Sequence, residues 1–377
     1  MKVATPETWE ILNFTSLIIV NKSKKKKIQT SNYLETGEIP IIDQGQDTIA
    51  GYTNDTALIY NGDLPVIVFG DHTLVLKFID FPFAIGADGT KIIHSNEEKC
   101  TPKFFYYAIN AKNIQSDGYK RHFSKLRNQT FLIPPLPEQQ KIASILSNVD
   151  DTIQKIDQII KQTQRLKKAM MQKLLTNGIG HTKFKKTEIG DIPEKWVVLK
   201  LEKVCEVRQQ TKVDSKFYVG LEHIEKDTGN LLTNDNVEKY TTNKVFCQND
   251  VLYGKLRPLL HKVWFAETDG YCSTDIYPLV SKTNIDNRFL FYSILSWRFF
   301  SYSVSTITGA NLPRTKWKDI KNFNIPLPPL PEQKQIVSIL SNIDTQIQKE
   351  KLHKSNLERL KKGLMQKLLT GQIRVKV

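Results

Sequence analysis

At 377 residues, with 40% hydrophobic and 10% aromatic side chains, the chain can form two or three domains with cores of their own and is too apolar for a disordered protein. Its 54 Lys and Arg against 39 Asp and Glu leave a net charge of +15, which points to a polyanionic partner. No run reaches the roughly 18 apolar residues of a membrane span. The N-terminus lacks a basic-then-apolar signal layout, and Cys100, Cys205, Cys247 and Cys272 form no CxxC pair. The expectation is a soluble, cytoplasmic protein with reduced thiols and no metal site.

Residues 1–133 read as mixed α/β with short strands. The runs 64–71, 73–81 and 90–95 are β-rich and punctuated by Gly and Asp, and Pro102–Ala111 reads as an aromatic-rich helix. Lys24, Lys25, Lys26 and Lys27 fall in a loop before Tyr33. They fit either a solvated turn or a phosphate contact that positions without reading sequence. Asp71, His72 and Thr73 occupy a strand-to-strand turn and are of base-reading types. Arg121, His122, Lys125 and Arg127 follow Gly118-Tyr119 just before a Pro-rich hinge, a placement that favours a DNA-facing role.

From Glu138 to Thr176 the sequence predicts one long helix. Ile142, Val149 and Ile156 recur every seven residues, with Ile145 and Leu166 on the neighbouring positions of the stripe. Prolines precede it, Glu138 suits the positive end of the helix dipole, and Asn177-Gly178 supplies the stop. A helix of this length needs a partner helix.

The segment up to 325 again reads as mixed α/β. Strand-like runs cover 250–258, 261–267 and 275–281, and Arg288–Phe300 reads as a second aromatic-rich helix. Arg257, His261 and Lys262 sit in an apparent turn, and Arg314 and Lys316 follow Gly309-Ala310-Asn311 before the next hinge. A second long helix follows, with Ile336, Ile339, Ile343, Leu357, Leu360 and Leu364 on its apolar stripe and a polar middle over 350–356. Those polar residues mark either a divergence of the helix pair or contact with another chain.

The two helical segments are copies. Pro134–Thr176 returns as Pro328–Thr370 without a gap, identical at 26 of 43 positions. The regions ahead of them share a Pro-Glu-x-Trp opening (Pro6, Glu7, Trp9; Pro193, Glu194, Trp196) and resist alignment beyond it. The charge follows the copies: 134–186 and 326–377 each carry 10 basic against 4 acidic residues. The expected divisions are 1–133, 134–180, 181–325 and 326–377. Packed antiparallel, the two helices would turn the tandem repeat into a pseudo-two-fold, holding two globular units apart with opposite polarity. Dimeric DNA readers match two half-sites in that way.

The doubled PLPEQ–helix–RLKKxxMQKLLT segment and the IGDIPEKWVVLKLEKV opening (189–204) resemble the specificity subunit of type I restriction-modification enzymes. GEIPIIDQGQ (37–46), VFGDHTLVLKF (68–78), FAIGADGTKII (83–93), NDVLYGKLRPLLHKV (249–263) and TGANLPRTKW (308–317) resemble that family's target recognition domains. The resemblance implies an α/β protein in which each variable unit reads one half of a bipartite, asymmetric DNA sequence. It further implies a helix pair that sets the gap and docks two modification (methyltransferase) subunits, which are joined by restriction subunits. S-adenosylmethionine, ATP and Mg would belong to those partners and not to this chain.

The catalytic inventory agrees. There is no GxGxxG after a strand, no GxxxxGK[ST] phosphate loop and no Asn/Asp-Pro-Pro-aromatic motif. Asp191-Ile-Pro-Glu-Lys195 loosely echoes a nuclease pattern, but it repeats the opening of the first unit. A single-chain nuclease or methyltransferase, and a purely structural coiled-coil scaffold, are the rival readings. Missing cofactor motifs weigh against the first, and the divergence of the two domains weighs against the second.

Overall fold

The structure, a computed structural model, describes residues 7–20, 26–87, 89–118, 120–210, 212–232, 243–309 and 311–376. The chain forms two compact units, Met1–Asp157 with Leu352–Val377 and Gln158–Lys351. Each long helix is therefore shared, its first part in one unit and its remainder in the other.

In the first unit a four-stranded antiparallel sheet runs in the order Ile18–Ile19, Thr90–Ser95, Val66–Gly70, Leu76–Ile79. Val66–Gly70 is buried at all five positions, as its unbroken apolar run requires of a central strand covered on both faces. A second sheet orders Lys27–Ile28, Ala84–Gly86, Ile39–Ile42 and Gly51–Thr53, with its first two pairings parallel. Helix Pro102–Asn110 starts on a proline, which tolerates the first turn because no partner awaits its missing N–H. It buries Phe104, Phe105 and Tyr107, and Phe105 meets Phe14 and Phe131 at ring centroids of 5.7 and 5.4 Å. Strand Glu10–Asn13 pairs with Thr130–Ile133 and closes the domain immediately before the helix.

The second unit repeats this topology. Its sheet runs Cys205–Val207, Ile276–Ser281, Val251–Gly254, Val263–Phe265, and Val197–Lys200 pairs with Asn324–Leu327 as the closing ribbon. A smaller sheet again begins with a parallel pair, Tyr218–Val219 with Gly270–Cys272. Two regions that share little sequence beyond their Pro-Glu-x-Trp openings have one fold. The helix expected over Arg288–Phe300 is two, Asn287–Leu295 and Trp297–Ser305. Ser296 adopts an extended conformation between them, and its hydroxyl caps the second by accepting from the Phe299 N–H at 3.2 Å. Residues 191–193 fall in a small hairpin, Phe184–Thr187 with Gly190–Pro193, and 194–195 form the turn after it.

The long helices are Leu136–Asn177 and Leu330–Leu368. In the first unit they run antiparallel, because Lys354 meets Asp157 at 2.7 Å and Lys361 meets Asp150 at 2.6 Å. The second unit shows the same sense, with Lys167 at 2.5 Å from Asp344 and Glu332 accepting from the Ile179 N–H at 3.1 Å. Ile142, Ile156 and Ile336 are buried, and Ile145, Val149, Ile339, Ile343, Leu357 and Leu364 are half-buried. Leu166 and Leu360, expected in the helix-pair core, are instead 53% and 51% exposed. The next residue explains this: Lys167 and Lys361 turn inward to their aspartates, and one step along a helix rotates the preceding side chain by about 100°. The polar middle of the second helix is matched by polar partners. In the first unit Lys354 binds Asp157, and in the second Lys351 lies 3.7 Å from Glu225.

Candidate nucleic-acid interface and its anchors

The turn between strands Val66–Gly70 and Leu76–Ile79 carries Asp71, His72 and Thr73. Asp71 is 2% exposed. Its carboxylate accepts from the Phe123 N–H at 2.8 Å, and its carbonyl accepts from the His122 backbone N–H at 2.8 Å. Lys91 Nζ lies 3.6 Å from the same carboxylate. His122 is fully buried. Its Nε2 accepts from the Asp117 N–H at 3.1 Å, which leaves Nδ1 to donate to the Asp71 carbonyl, also at 3.1 Å. Asp71 and His122 therefore staple two loops together, and the expectation that they face DNA is corrected: a buried polar group goes where its hydrogen bonds can be made.

His72 is half-buried and its N–H donates to Gln44 Oε1 at 3.2 Å, while exposed Thr73 donates to the Gln44 carbonyl at 2.6 Å. Lys125 is drawn to Asp117 at 2.5 Å and to the Gln115 carbonyl at 2.9 Å. The bond from Lys125 to Asp117 holds the Asp117 carboxyl below the usual carboxylate range. Arg121 and Arg127 are exposed, as are Lys26 and Lys27, the latter in strand Lys27–Ile28. Lys24 and Lys25 lie outside the described residues.

In the second unit the turn after Val251–Gly254 is tightly determined. Arg257 and His261 have left-handed backbones, with φ of 50° and 40°, which non-glycine residues hold only where their surroundings enforce it. His261 is 5% exposed, with Nε2 at 3.2 Å from the Ile294 carbonyl and Nδ1 at 3.3 Å from Asp227. Burial pushes its pKa down. Lys262 donates to the Leu221 carbonyl at 2.5 Å, and burial lowers its pKa too. Both were candidates for DNA contact, and the structure instead gives both side chains hydrogen bonds that hold the turn. What they fasten is exposed: Arg257, whose N–H donates to the Pro313 carbonyl at 2.8 Å, Arg314, bridged to Leu256 and 3.4 Å from Asp275, and Lys316. The structure thus joins Arg257, Arg314 and Lys316 on two linked turns, with Leu259 and Leu312 exposed between them.

Sequence reading missed how the domains are fixed to the helices. In the first unit the buried Trp9 indole donates to Glu138 at 3.1 Å, and Arg374 grips the same carboxylate at 2.7 and 2.8 Å. Burial opposes ionisation of Glu138, but the bonds from Arg374 and Trp9 outweigh it and hold the carboxyl below its usual range. In the second unit Trp196 donates to Glu332 at 2.9 Å, and His181 Nε2 lies 2.7 Å from it. Next along each helix, Gln139 binds the Thr101 N–H and the Lys99 and Pro134 carbonyls, while Gln333 binds the Asp286 N–H and the Asn284 and Pro328 carbonyls.

A third anchor recurs with the copies exchanged. Tyr107 donates to Asp150 at 2.8 Å with Lys361 on the other oxygen, and Tyr292 donates to Asp344 at 2.8 Å with Lys167. Each copy of the repeat thus gives its aspartate to one unit and its lysine to the other. The signal was present in the sequence, since Glu, Gln, Asp and Lys recur in both copies and Trp recurs in both Pro-Glu-x-Trp openings. Read one copy at a time, Glu138 looks only like a complement to the helix dipole.

Two α/β domains of one topology, each fastened to a duplicated helical frame through the same residues, define a protein with two recognition modules. Residues 6–165 and 193–359 match the family model for the type I restriction modification DNA specificity domain. The chain is 29% identical over 408 residues to the type I restriction enzyme MjaVIII specificity subunit of Methanocaldococcus jannaschii, covering 98% of this chain and 94% of that one. A putative MjaX specificity subunit of the same organism is 34% identical over 310 residues, covering 76% and 71%. The crystal structure of a type I restriction-modification S subunit from M. genitalium shares the fold, with a TM-score of 0.62, 15% identity and 98% of both chains covered. The chain belongs to the type I restriction-modification DNA specificity family. It is a DNA sequence-specificity subunit, a non-catalytic component that assembles with the other subunits of such a system.

Proposed function

We propose that the chain reads a bipartite, asymmetric DNA site, with 1–133 taking one half and 181–325 the other, while 134–180 and 326–377 dock two modification subunits that restriction subunits join. The observation that carries this is one topology and one set of anchors presenting two different exposed turns: Thr73, Arg121 and Arg127 on the first domain, Arg257, Arg314 and Lys316 on the second. Identical mounting with different tips is what reading two different half-sites requires. S-adenosylmethionine, ATP and Mg belong in this reading to the partner subunits. The complex acts in the cytoplasm, and no helix among the described residues is long and apolar enough to cross a membrane.

Single substitutions test the tips. In the assembled methyltransferase, Arg257→Ala or Arg314→Ala is expected to weaken DNA binding by about 1–3 kcal/mol and to relax one base of one half-site if the arginine reads a base edge. Methylation-sensitive sequencing of cells carrying each variant gives the result. Relaxation in both halves, or an unchanged motif at full affinity, would count against the assignment.

The isolated chain is expected to bind DNA weakly. Its excess charge lies on the repeats, so few phosphates are neutralised by the recognition domains alone. Nanomolar, sequence-specific binding by the purified chain at physiological salt would contradict this.

A further inference from the structure

The two domains share a corner whose charge differs between them. Each central strand ends in a glycine, Gly70 or Gly254, and the next residue is bonded alike in both. The Asp71 N–H donates to the Gly89 carbonyl at 2.8 Å, and the Asp71 carbonyl accepts from the His122 N–H at 2.8 Å. The Lys255 N–H donates to the Asp275 carbonyl at 2.9 Å, and the Lys255 carbonyl accepts from the Thr315 N–H at 3.0 Å. On the neighbouring strand Lys91 pairs with Phe69 and Tyr277 with Tyr253, one place before the glycine in each case. Lys255 therefore stands where the first domain has Asp71, and Tyr277 where it has Lys91.

In the first domain the corner is closed, because Lys91 lies 3.6 Å from the Asp71 carboxylate and the charges cancel. In the second, Lys244 and Lys255 bring their ammoniums to one phenol ring, 4.7 and 5.3 Å from the Tyr277 centroid. Lys244 donates to the Ile276 carbonyl at 2.9 Å and keeps N–H bonds to spare. Arg314 takes Asp275, the carboxylate of this corner, at 3.4 Å, and no acid among the described residues pairs with either lysine. A ring face attracts a cation by about 0.5–2 kcal/mol, but two ammoniums brought to one ring repel each other. Burial lowers the pKa of Lys244, and the nearby Lys255 lowers it further. An anion between the two would turn that repulsion into attraction.

We propose that Lys244 and Lys255, backed by Tyr277, hold one backbone phosphate of the DNA that residues 181–325 read, a hold that the first domain lacks at the matching corner. This rests on the functional reading above and adds a positioning contact to it. A DNA phosphate fits better than a free anion, because the corner is continuous with the exposed cations. Lys255 leads into the turn of Arg257, and Thr315, bonded to Lys255, lies between Arg314 and Lys316. A phosphate gripped at the root of these turns fixes their register on the duplex and carries no sequence information itself. At this corner the second half-site is gripped and the first is not, although both domains are mounted alike.

The test measures the DNA affinity of the assembled methyltransferase against salt. Lys244→Met with Lys255→Met is expected to weaken binding about tenfold, for cognate and unrelated duplexes alike, and to lower the slope of log K against log salt by about one. The methylated motif should not change. Methionine fills the same space against the ring, so the free chain should melt as the wild type does. Lys244→Arg with Lys255→Arg should keep the slope, and Lys91→Met should leave it alone, since Asp71 already cancels that charge. Duplexes carrying a single neutral methylphosphonate give a second reading on the wild type. One position beside the second half-site should cost the wild type about tenfold and the methionine pair nothing.

An unchanged slope in the methionine pair would overturn the proposal, as would a wild type indifferent to every neutral phosphate around the second half-site. A relaxed motif would overturn it too, by making the lysines base readers. A wild-type complex without sequence-specific DNA binding would overturn the functional reading itself, and this proposal with it.

Discussion

Glu138→Ala is expected to lower the melting temperature of the first unit by about 3–16 °C. Glu138 is 2% exposed and takes hydrogen bonds from the buried Trp9 indole and from Arg374. Without the carboxylate, Arg374 can return to solvent, since its side chain is 44% exposed. The Trp9 N–H cannot, and an orphaned buried donor costs about 1–3 kcal/mol. The lost favourable charge in the first turn of the helix adds about 0.3–1 kcal/mol. For a unit of this size each kcal/mol moves the midpoint by about 2–4 °C.

The effect has a pH signature. The folded carboxyl is held below its usual range by Arg374 and Trp9, against the opposing effect of burial. Its stabilisation is therefore fully present above the unfolded pKa of about 4.3 and fades as pH falls through the lower folded value. The difference between wild type and Glu138→Ala should narrow below about pH 4. Hydrogen exchange locates the damage: peptides around Trp9 and 131–146 should exchange faster, and those around Trp196 should not. Uniform acceleration across both units would show that Glu138 is no local fastener.

How much of this was legible beforehand divides along physical lines. The long helices could be read because heptad spacing, prolines ahead and glycine behind all act locally. Strands such as Thr90–Ser95 and Ile276–Ser281 were legible from β-branched runs between turn residues. The common topology of the two domains was not, because strand order is set by pairings between residues far apart in sequence, such as Val197 with Leu327. The helix break at Ser296 turns on one residue's backbone angles, and no periodicity marks it.

Among the candidate DNA contacts, chemistry type was legible but destination was not. Asp71, His122, His261 and Lys262 look like readers because the side chains that hold a turn rigid are the polar ones that would also read a base. Leu166 and Leu360 failed for a related reason. A heptad assigns apolar residues inward, yet here a lysine with an aspartate to reach takes the inward place.

Replacing residues 187–325 with the corresponding domain of another family member is expected to change one half of the methylated sequence and leave the other intact. The anchors explain why such a graft can work. Within the exchanged segment, the Trp196 indole and the Tyr292 hydroxyl each donate to a helix carboxylate, and the Asp286 N–H with the Asn284 carbonyl meets Gln333. The receiving groups, Glu332, Asp344, Gln333, Lys167 and His181, all lie outside it and stay with the host. A donor that supplies a tryptophan and a tyrosine at those two places should therefore seat on the existing frame. One that lacks the tyrosine leaves Asp344 with Lys167 alone, and should dock less firmly without losing its fold. The first domain keeps its own anchors, since Trp9, Tyr107 and Thr101 bind Glu138, Asp150 and Gln139. Its exposed turns do not move within their own unit, so its half-site should persist base for base. Melting the chimera before use separates a failed fold from a failed reading. With a folded chimera in an active complex, methylation-sensitive sequencing of the host genome decides the matter: a motif altered in both halves would mean that the two domains do not read independently.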